Sequence, residues 1–295
     1  MKINYIARIN PFTPGANGGG EHVMRALLGG GLSHHVNIIT PDNAREYWED
    51  ADINIFADVF NFPLAPGFMP QDIDHYMEKP YVHFNNSYVD ICVHDYYQCP
   101  EPLVEHCNVW GTKLLLGARL AYFVSPLHLQ TVAERIPEIL THKTGILRPI
   151  VDTSKFRNLG GDRPIDYLVV APLLEPKGFM NAMDYLAEQE ADPEACLFVG
   201  ANPHRYDLGG IRHRDRLPYE EMPNTFNRAK VFVHLPEWKE PMGRTVIEAA
   251  LCGCHLVLNE NVGATSFAFE DIRDPDNYEG SVDEFWTTVE SVMDR

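Results

Sequence analysis

The sequence predicts an α/β protein built from two parallel-sheet domains of similar size that face each other across a cleft. Three observations lead there. Short apolar, β-rich runs alternate with helical segments along most of the chain, an order that gives parallel sheets covered on both faces. The alternation breaks at ILRPIVDTSKFRNLGGDRP into proline, glycine and charge, which puts a domain boundary near residue 150. At 295 residues the chain is long enough for two domains of ordinary size. The expected division is 1–149, 150–280 and a C-terminal helix over 281–295 that can pack back on the N-terminal domain.

The first strand is KINYIARI (2–9), followed by the glycine-rich NPFTPGANGGG and the helix EHVMRALLGG. VNIIT (36–40), INIF (53–56), PYVHF (80–84) and AYFVS (121–125) are further strands, the last leading into the helix LHLQTVAERI. Beyond the boundary, DYLVVAPL (166–173) leads to the helix FMNAMDYLAEQ, and CLFVG (196–200) to a loop. Helix YEEMPNTFNRA precedes strand VFVHL (231–235). RTVIEAALC is the next helix, with Gly253 as its cap, and HLVLN (255–259) the next strand. The tail DEFWTTVESVMDR is amphipathic and reads as a helix.

Composition narrows the class. Lys and Arg total 24 against 42 Asp and Glu, a net charge of −18, which argues against binding nucleic acid through the whole surface. No apolar run approaches the ~20 residues of a membrane span, and MKINYIARINPF reads as a strand, not a signal peptide. The six cysteines form no CxxC pair and are expected to be reduced, mostly buried thiols of a cytoplasmic protein. Cys99 and Cys107 with His94 and His106 match no zinc spacing. Asp72-Ile-Asp74 and Asp274-Pro-Asp276 are formally D-x-D, but neither follows a clear strand end, and both are expected at the surface.

The chemistry concentrates in WKEPMGRTVIEAALCG (238–253), a loop and helix start following the strand VFVHL. Ligands bind at the C-terminal ends of parallel strands. A helix starting near Gly243 presents unpaired N–H groups and its positive dipole end, which suit a phosphate or diphosphate. Glu240 and Glu248 can accept hydrogen bonds from sugar hydroxyls. On spacing alone, a solvated loop carboxylate and a charge favouring the helix start explain them equally well.

Several motifs in order resolve that balance. EPMGRTVIEAALCGCHLVLNENVGA resembles the E-x7-E signature of the family 4 glycosyltransferases, retaining enzymes of the two-domain GT-B fold. GGGEHVMRALLGGG is similar to their N-terminal glycine-rich loop and first helix, LRPIVDTSKF to the segment entering the C-terminal domain, and LLEPKGFMNAM to the segment carrying a phosphate-binding lysine. LPYEEMPNTFNRAKVFVHLPEWKEP resembles the stretch leading into the signature. The resemblance implies two Rossmann-like domains, the N-terminal one on the acceptor side and the C-terminal one binding the nucleotide-sugar. It implies a hexosyl- or pentosyltransferase that needs neither metal nor cofactor, its donor a nucleoside diphosphate sugar. In that frame Glu248 holds the donor ribose and Glu240 the transferred sugar. Lys177 meets the diphosphate beside the Met242, Gly243 and Arg244 backbone, and Gly18, Gly19 and Gly20 close the phosphate side. Those three glycines do not fit G-x-G-x-x-G, because Val23 stands where the third glycine would fall, which argues against a dinucleotide cofactor.

Two positions depart from the pattern. Pro172 stands where family members usually carry an arginine, so another cation must offset the diphosphate, with Arg205, Arg212, Arg214 and Arg244 as candidates. HDYYQCP nominates His94, beside Asp95, as the histidine facing the donor sugar; the alternative register, KPYVHFNN, nominates Asn86 with His83 nearby. A degenerate nucleotide-sugar-binding protein and a nucleotide-sugar epimerase or hydrolase are the competing readings. For the acceptor, a saccharide or small molecule comes first and a hydroxylated modified DNA base second. The only clustered basic residues a DNA groove could use are Arg205, Arg212, Arg214 and Arg216 with His204 and His213.

Overall fold

A computed structural model describes residues 1–14, 18–30, 34–48, 51–59, 68, 70–88 and 109–292. The chain divides into two compact units, Met1–Ile150 together with Gly280–Arg295, and Val151–Glu279.

The first unit holds strands β1 (Lys2–Ala7), β2 (His35–Ile39), β3 (Ile53–Ala57), β4 (Tyr81–Asn85), β5 (Leu120–Phe123) and β6 (Thr144–Ile146). They form one parallel sheet in the order β2-β1-β3-β4-β5-β6. Helices α1 (Gly19–Gly30), α2 (Pro70–Met77), α3 (Val109–Gly117) and α4 (Pro126–Ala133) lie among the connections. β3 and β4 are buried at every residue, which is why they read as nearly continuous apolar runs. The asparagines within those runs use their amide nitrogens: Asn54 Nδ2 donates to the Tyr76 carbonyl at 2.6 Å and Asn85 Nδ2 to the Tyr122 carbonyl at 3.2 Å. α4 starts where Ser125 accepts from the His128 N–H and Pro126 presets the first turn. One expectation is corrected here. Asp72 is buried in α2 and bonded to Arg45 Nε at 3.4 Å; only Asp74 of that pair is exposed, where it meets Lys113.

The second unit holds β7 (Ile165–Val170), β8 (Cys196–Val199), β9 (Arg212–Arg214), β10 (Ala229–His234) and β11 (His255–Leu258), again all parallel, in the order β11-β10-β7-β8-β9. β9 differs from the expected loop. Its RHR sequence is an edge strand with exposed arginines, so it carries none of the apolar signal of a covered strand. α5 (Phe179–Glu188), α6 (Met222–Asn227) and α7 (Arg244–Leu251) complete the unit. The predicted helix from Tyr219 begins as a short 3-10 turn and becomes α6 at Met222, with Pro223 in the first turn, where its missing N–H costs nothing. Phe156, Leu168, Phe226, Phe232 and Ile247 anchor one core cluster, and Leu173, Phe179, Phe198 and Val233 another. Each such side chain contributes about 1.5–3 kcal/mol by leaving water. Three cysteines are described, Cys196, Cys252 and Cys254, all free and buried, with thiols that burial pushes up.

The chain then re-enters the first unit as α8 (Ser281–Ser291). Trp286 Nε1 donates to the Leu27 carbonyl at 2.8 Å, Phe285 meets the rings of Phe84 and Tyr122, and Arg148 pairs with Glu284 at 2.6 Å. No helix among the described residues is long and apolar enough to cross a membrane.

Candidate functional site

β7 and β10 are neighbours in the second sheet, so the connections that follow them leave the same C-terminal edge, the edge at which open α/β sheets bind ligands. The first connection carries Lys177 and Gly178, the second Glu240 and Gly243. Gly178 lets the two touch: it is left-handed, with φ +75°, and a Cβ there would run into the Leu235 carbonyl. Along the same seam the Trp238 N–H donates to the Pro176 carbonyl at 3.3 Å, and Asn181 Nδ2 to the Leu235 carbonyl at 3.0 Å.

Glu240 is fixed from its other side as well. Its N–H donates to the Asn261 carbonyl at 2.7 Å, and its carbonyl accepts from the Gly263 N–H at 3.0 Å, a parallel bridge beside Val262. Asn261 Nδ2 in turn donates to the Pro236 and Glu237 carbonyls. Gly243 then turns the chain into α7 with φ +76°, and a Cβ there would lie 2.9 Å from Val262 Cγ1 and 3.3 Å from Glu240 Oε2. The turn therefore presses the helix start against the Glu240 carboxylate.

Each of the two glutamates has its own partners. Lys177 Nζ lies 2.7 Å from Glu240 Oε1, while His234 Nε2 meets Oε2. Arg244 Nε donates to Glu248 Oε1 at 2.9 Å, the Tyr219 hydroxyl donates to the same oxygen at 3.1 Å, and Arg244 Nη2 reaches the Tyr219 oxygen while the guanidinium lies over its ring. Burial alone would raise the Glu240 carboxyl, but Lys177 and then His234 outweigh it and hold the group well below the usual carboxylate range. Glu248 goes the other way: burial pushes its carboxyl up, and Arg244 and Tyr219 offset this only in part. Burial, with Glu248 adding to it, also raises the Tyr219 phenol, so that hydroxyl remains a donor.

Of the residues singled out in the sequence, Lys177, Glu240, Met242, Gly243, Arg244 and Glu248 come together in the second unit. The Met242 carbonyl accepts from the Ala264 N–H. Arg205, Arg212 and Arg214 sit elsewhere. Arg212 and Arg214 are exposed on β9, with β7 and β8 between that strand and β10. Arg205 is exposed in the loop after β8, in a left-handed conformation with φ 54°. Gly18, Gly19 and Gly20 belong to the first unit, the last two opening α1. There a crevice of about 190 Å³ at the ends of β1 and β3 is lined by Arg8, Gly20, Glu21, Asp58 and Asn86. His83 is fully buried in β4. His94, with Asp95, lies outside the described residues.

Sequence reasoning missed His234 and Tyr219 as partners of the glutamates. The readable signal for His234 was a histidine at the very C-terminal end of an otherwise apolar strand. Tyr219 stood in a charged segment and gave none. Among the described residues no group of three or more His, Cys, Asp or Glu side chains is placed to hold a metal ion.

Residues 182–286, which contain Glu240 and Glu248, match the family model described as glycosyl transferase-like. No curated protein sequence matches the chain. Solved structures do match in fold. A sucrose-phosphate synthase from Thermosynechococcus elongatus superposes with TM-score 0.60 at 14% identity, covering 97% of this chain and 90% of that one. HepE of Anabaena, solved in complex with UDP, gives 0.57 at 13%, covering 99% and 92%. The catalytic domain of starch synthase IV from Arabidopsis thaliana, bound to ADP and acarbose, gives 0.56 at 12%, covering 99% and 93%. Two parallel-sheet α/β domains along nearly the full length of such neighbours make this the GT-B fold, and both glutamates fall inside the segment that matches the glycosyl transferase-like model.

Proposed function

We propose that the protein is a retaining glycosyltransferase that moves a sugar from a nucleoside diphosphate sugar to an acceptor hydroxyl. One observation carries the reading: two carboxylates, the largely covered Glu240 and the buried Glu248, lie on either side of the glycine that starts a helix at the C-terminal edge of a parallel sheet, each already facing a cation, Lys177 and Arg244. Glu248 takes the ribose hydroxyls and Glu240 those of the transferred sugar. Lys177 and the N–H groups opening α7 hold the diphosphate, with no metal needed for its charge. The bond between the sugar's anomeric carbon and the phosphate oxygen breaks, and the acceptor oxygen bonds to that carbon on the same face. The acceptor's proton passes to the leaving phosphate oxygen, so the nucleoside diphosphate departs. A saccharide or other small hydroxyl compound is the first acceptor class, a hydroxylated DNA base the second. UDP- and ADP-sugars are the first donors to try, since structural neighbours were solved with UDP and ADP.

A second reading, a nucleotide-sugar-binding protein without transfer, is favoured by Pro172 standing in place of a cation. Calorimetry and thermal melts with UDP-, ADP-, GDP- and TDP-glucose decide the donor site. One of them should stabilise the wild type by about 2.7 kcal/mol at a hundred times its Kd, and Glu248→Ala should lose that shift. No response to any donor overturns both readings. Binding without release of nucleoside diphosphate, across a panel of saccharide acceptors, favours the second. NMR of the product's anomeric proton tests retention.

A further inference from the structure

Glu240 sits between two basic side chains of different mobility. Lys177 reaches it on four rotatable bonds from a turn, with 14% of its side chain exposed, whereas His234 is 3% exposed and rooted in β10. The imidazole lies parallel to the Phe232 ring, at 13° and 6.0 Å, because residues two apart share one face of a strand. Glu240 stands six positions after His234, and the loop between them is tied to Asn259 and Asn261 through the Pro236 carbonyl. The histidine contact is thus set by the fold, while the lysine contact can be exchanged.

That difference matters once a diphosphate arrives. An ammonium is a compact, strongly hydrated charge that turns readily toward a stronger anion. If it does, Glu240 loses the ammonium on Oε1 in a site only 15% exposed, where an unpaired carboxylate is costly. A carboxylate has about four acceptor positions. With one on Oε2 held by His234, its plane stays fixed and Oε1 becomes available to sugar hydroxyls.

We propose that His234 is a positioning residue, which keeps Oε2 of Glu240 in place while Lys177 turns from Oε1 to the diphosphate of the donor. This rests on the glycosyltransferase reading above. It assigns to the ligand-free protein a resting state in which Lys177 and Glu240 occupy one another, and it makes His234 the part of the site that does not move.

The test uses full-length His234→Leu and His234→Gln, since a glutamine amide places an N–H donor near the imidazole Nε2 position. Two readouts are taken. The first is the ¹³C titration of the Glu240 carboxyl without ligand. The charged groups facing it are Lys177, from the connection after β7, and His234, from β10. In Lys177→Met the carboxyl should still titrate below the usual carboxylate range, and in the double variant Lys177→Met/His234→Leu it should not. Equal titration of those two proteins overturns the hold. The second is UDP release from UDP-glucose, or from whichever of the ADP-, GDP- or TDP-glucose donors calorimetry selects, beside its Kd. His234→Leu should lower the rate about tenfold or more with Kd changed less than about threefold, the pattern of a lost transition-state contact. His234→Gln should recover most of the rate. An unchanged rate in His234→Leu, or rate and affinity falling together with no recovery in His234→Gln, overturns the positioning role. If the wild type binds no nucleotide sugar, the proposed function and this role in it both fall, and the titration alone then decides whether His234 holds Glu240.

Discussion

Glu240 and Glu248 are the same residue type, eight positions apart, both shielded from water, and their protonation is pushed in opposite directions. The difference lies in what surrounds each carboxylate. Glu240 faces Lys177 on one oxygen and His234 on the other. Glu248, 4% exposed, places one oxygen against Arg244 and a Tyr219 hydroxyl that itself takes a bond from Arg244. Desolvation is the larger single influence on both. It loses at Glu240, where two basic groups act on separate oxygens, and wins at Glu248, where one guanidinium is shared. Burial therefore does not determine a buried carboxylate's charge until its partners have been counted.

The largest way to break this comparison is Lys177→Met, which leaves Glu240 with His234 alone and removes the cation proposed for the diphosphate. Donor turnover should fall about 10²–10³-fold, the scale of one lost charge-stabilising contact. Steady-state kinetics checks it, and a loss below tenfold would separate Lys177 from the diphosphate. A smaller effect is expected from Tyr219→Phe, which removes the hydroxyl joining Arg244 and Glu248. It should cost about 1 kcal/mol in a denaturant melt and weaken donor binding about fivefold in calorimetry, with the maximal rate kept.

The smallest effect tests the opposite signs directly. Glu240 is held below its unfolded value, so its contribution to stability is present above the ordinary carboxylate range and is lost as pH falls through it. Glu248 is raised, so its contribution is present at low pH and is lost as pH rises. Melting temperatures of Glu240→Gln and Glu248→Gln against wild type, from about pH 7.5 down to about pH 4, should therefore diverge. The penalty of Glu240→Gln shrinks on acidification, and that of Glu248→Gln grows. Parallel curves would mean that the two settings are not distinct.

What could be read from the sequence follows the same physics. The strands that bury both faces, such as INIFA and YVHFN, announce themselves as apolar runs, and the break after Ile150 announces itself in proline and glycine. The helix at Arg244 and its left-handed end at Gly253 were likewise legible. β9 was not, because an exposed edge strand of three polar residues has no core-facing pattern. Nor was α2, whose burial of Asp72 runs against that residue's usual place at the surface. At the site, spacing and resemblance identified Lys177, Glu240 and Glu248 as a group. The pairing within the group was hidden, since it depends on two connections meeting across Gly178, 62 residues before Glu240, and no local pattern encodes that approach.

The return of α8 to the first unit has a consequence for how the molecule can be taken apart. The Ser281 hydroxyl bonds to the Pro149 carbonyl at 3.4 Å, and Arg148 pairs with Glu284. The polypeptide thus leaves and rejoins one sheet at a single anchor. The second unit is an excursion of the chain with both ends moored together, not a tail. A protein truncated after residue 150 would strip α8 from the first sheet and expose Phe84, Tyr122 and Leu27, whereas joining Ile150 to Gly280 through a short linker would leave that core closed. The cut that frees one unit without damaging the other is a splice.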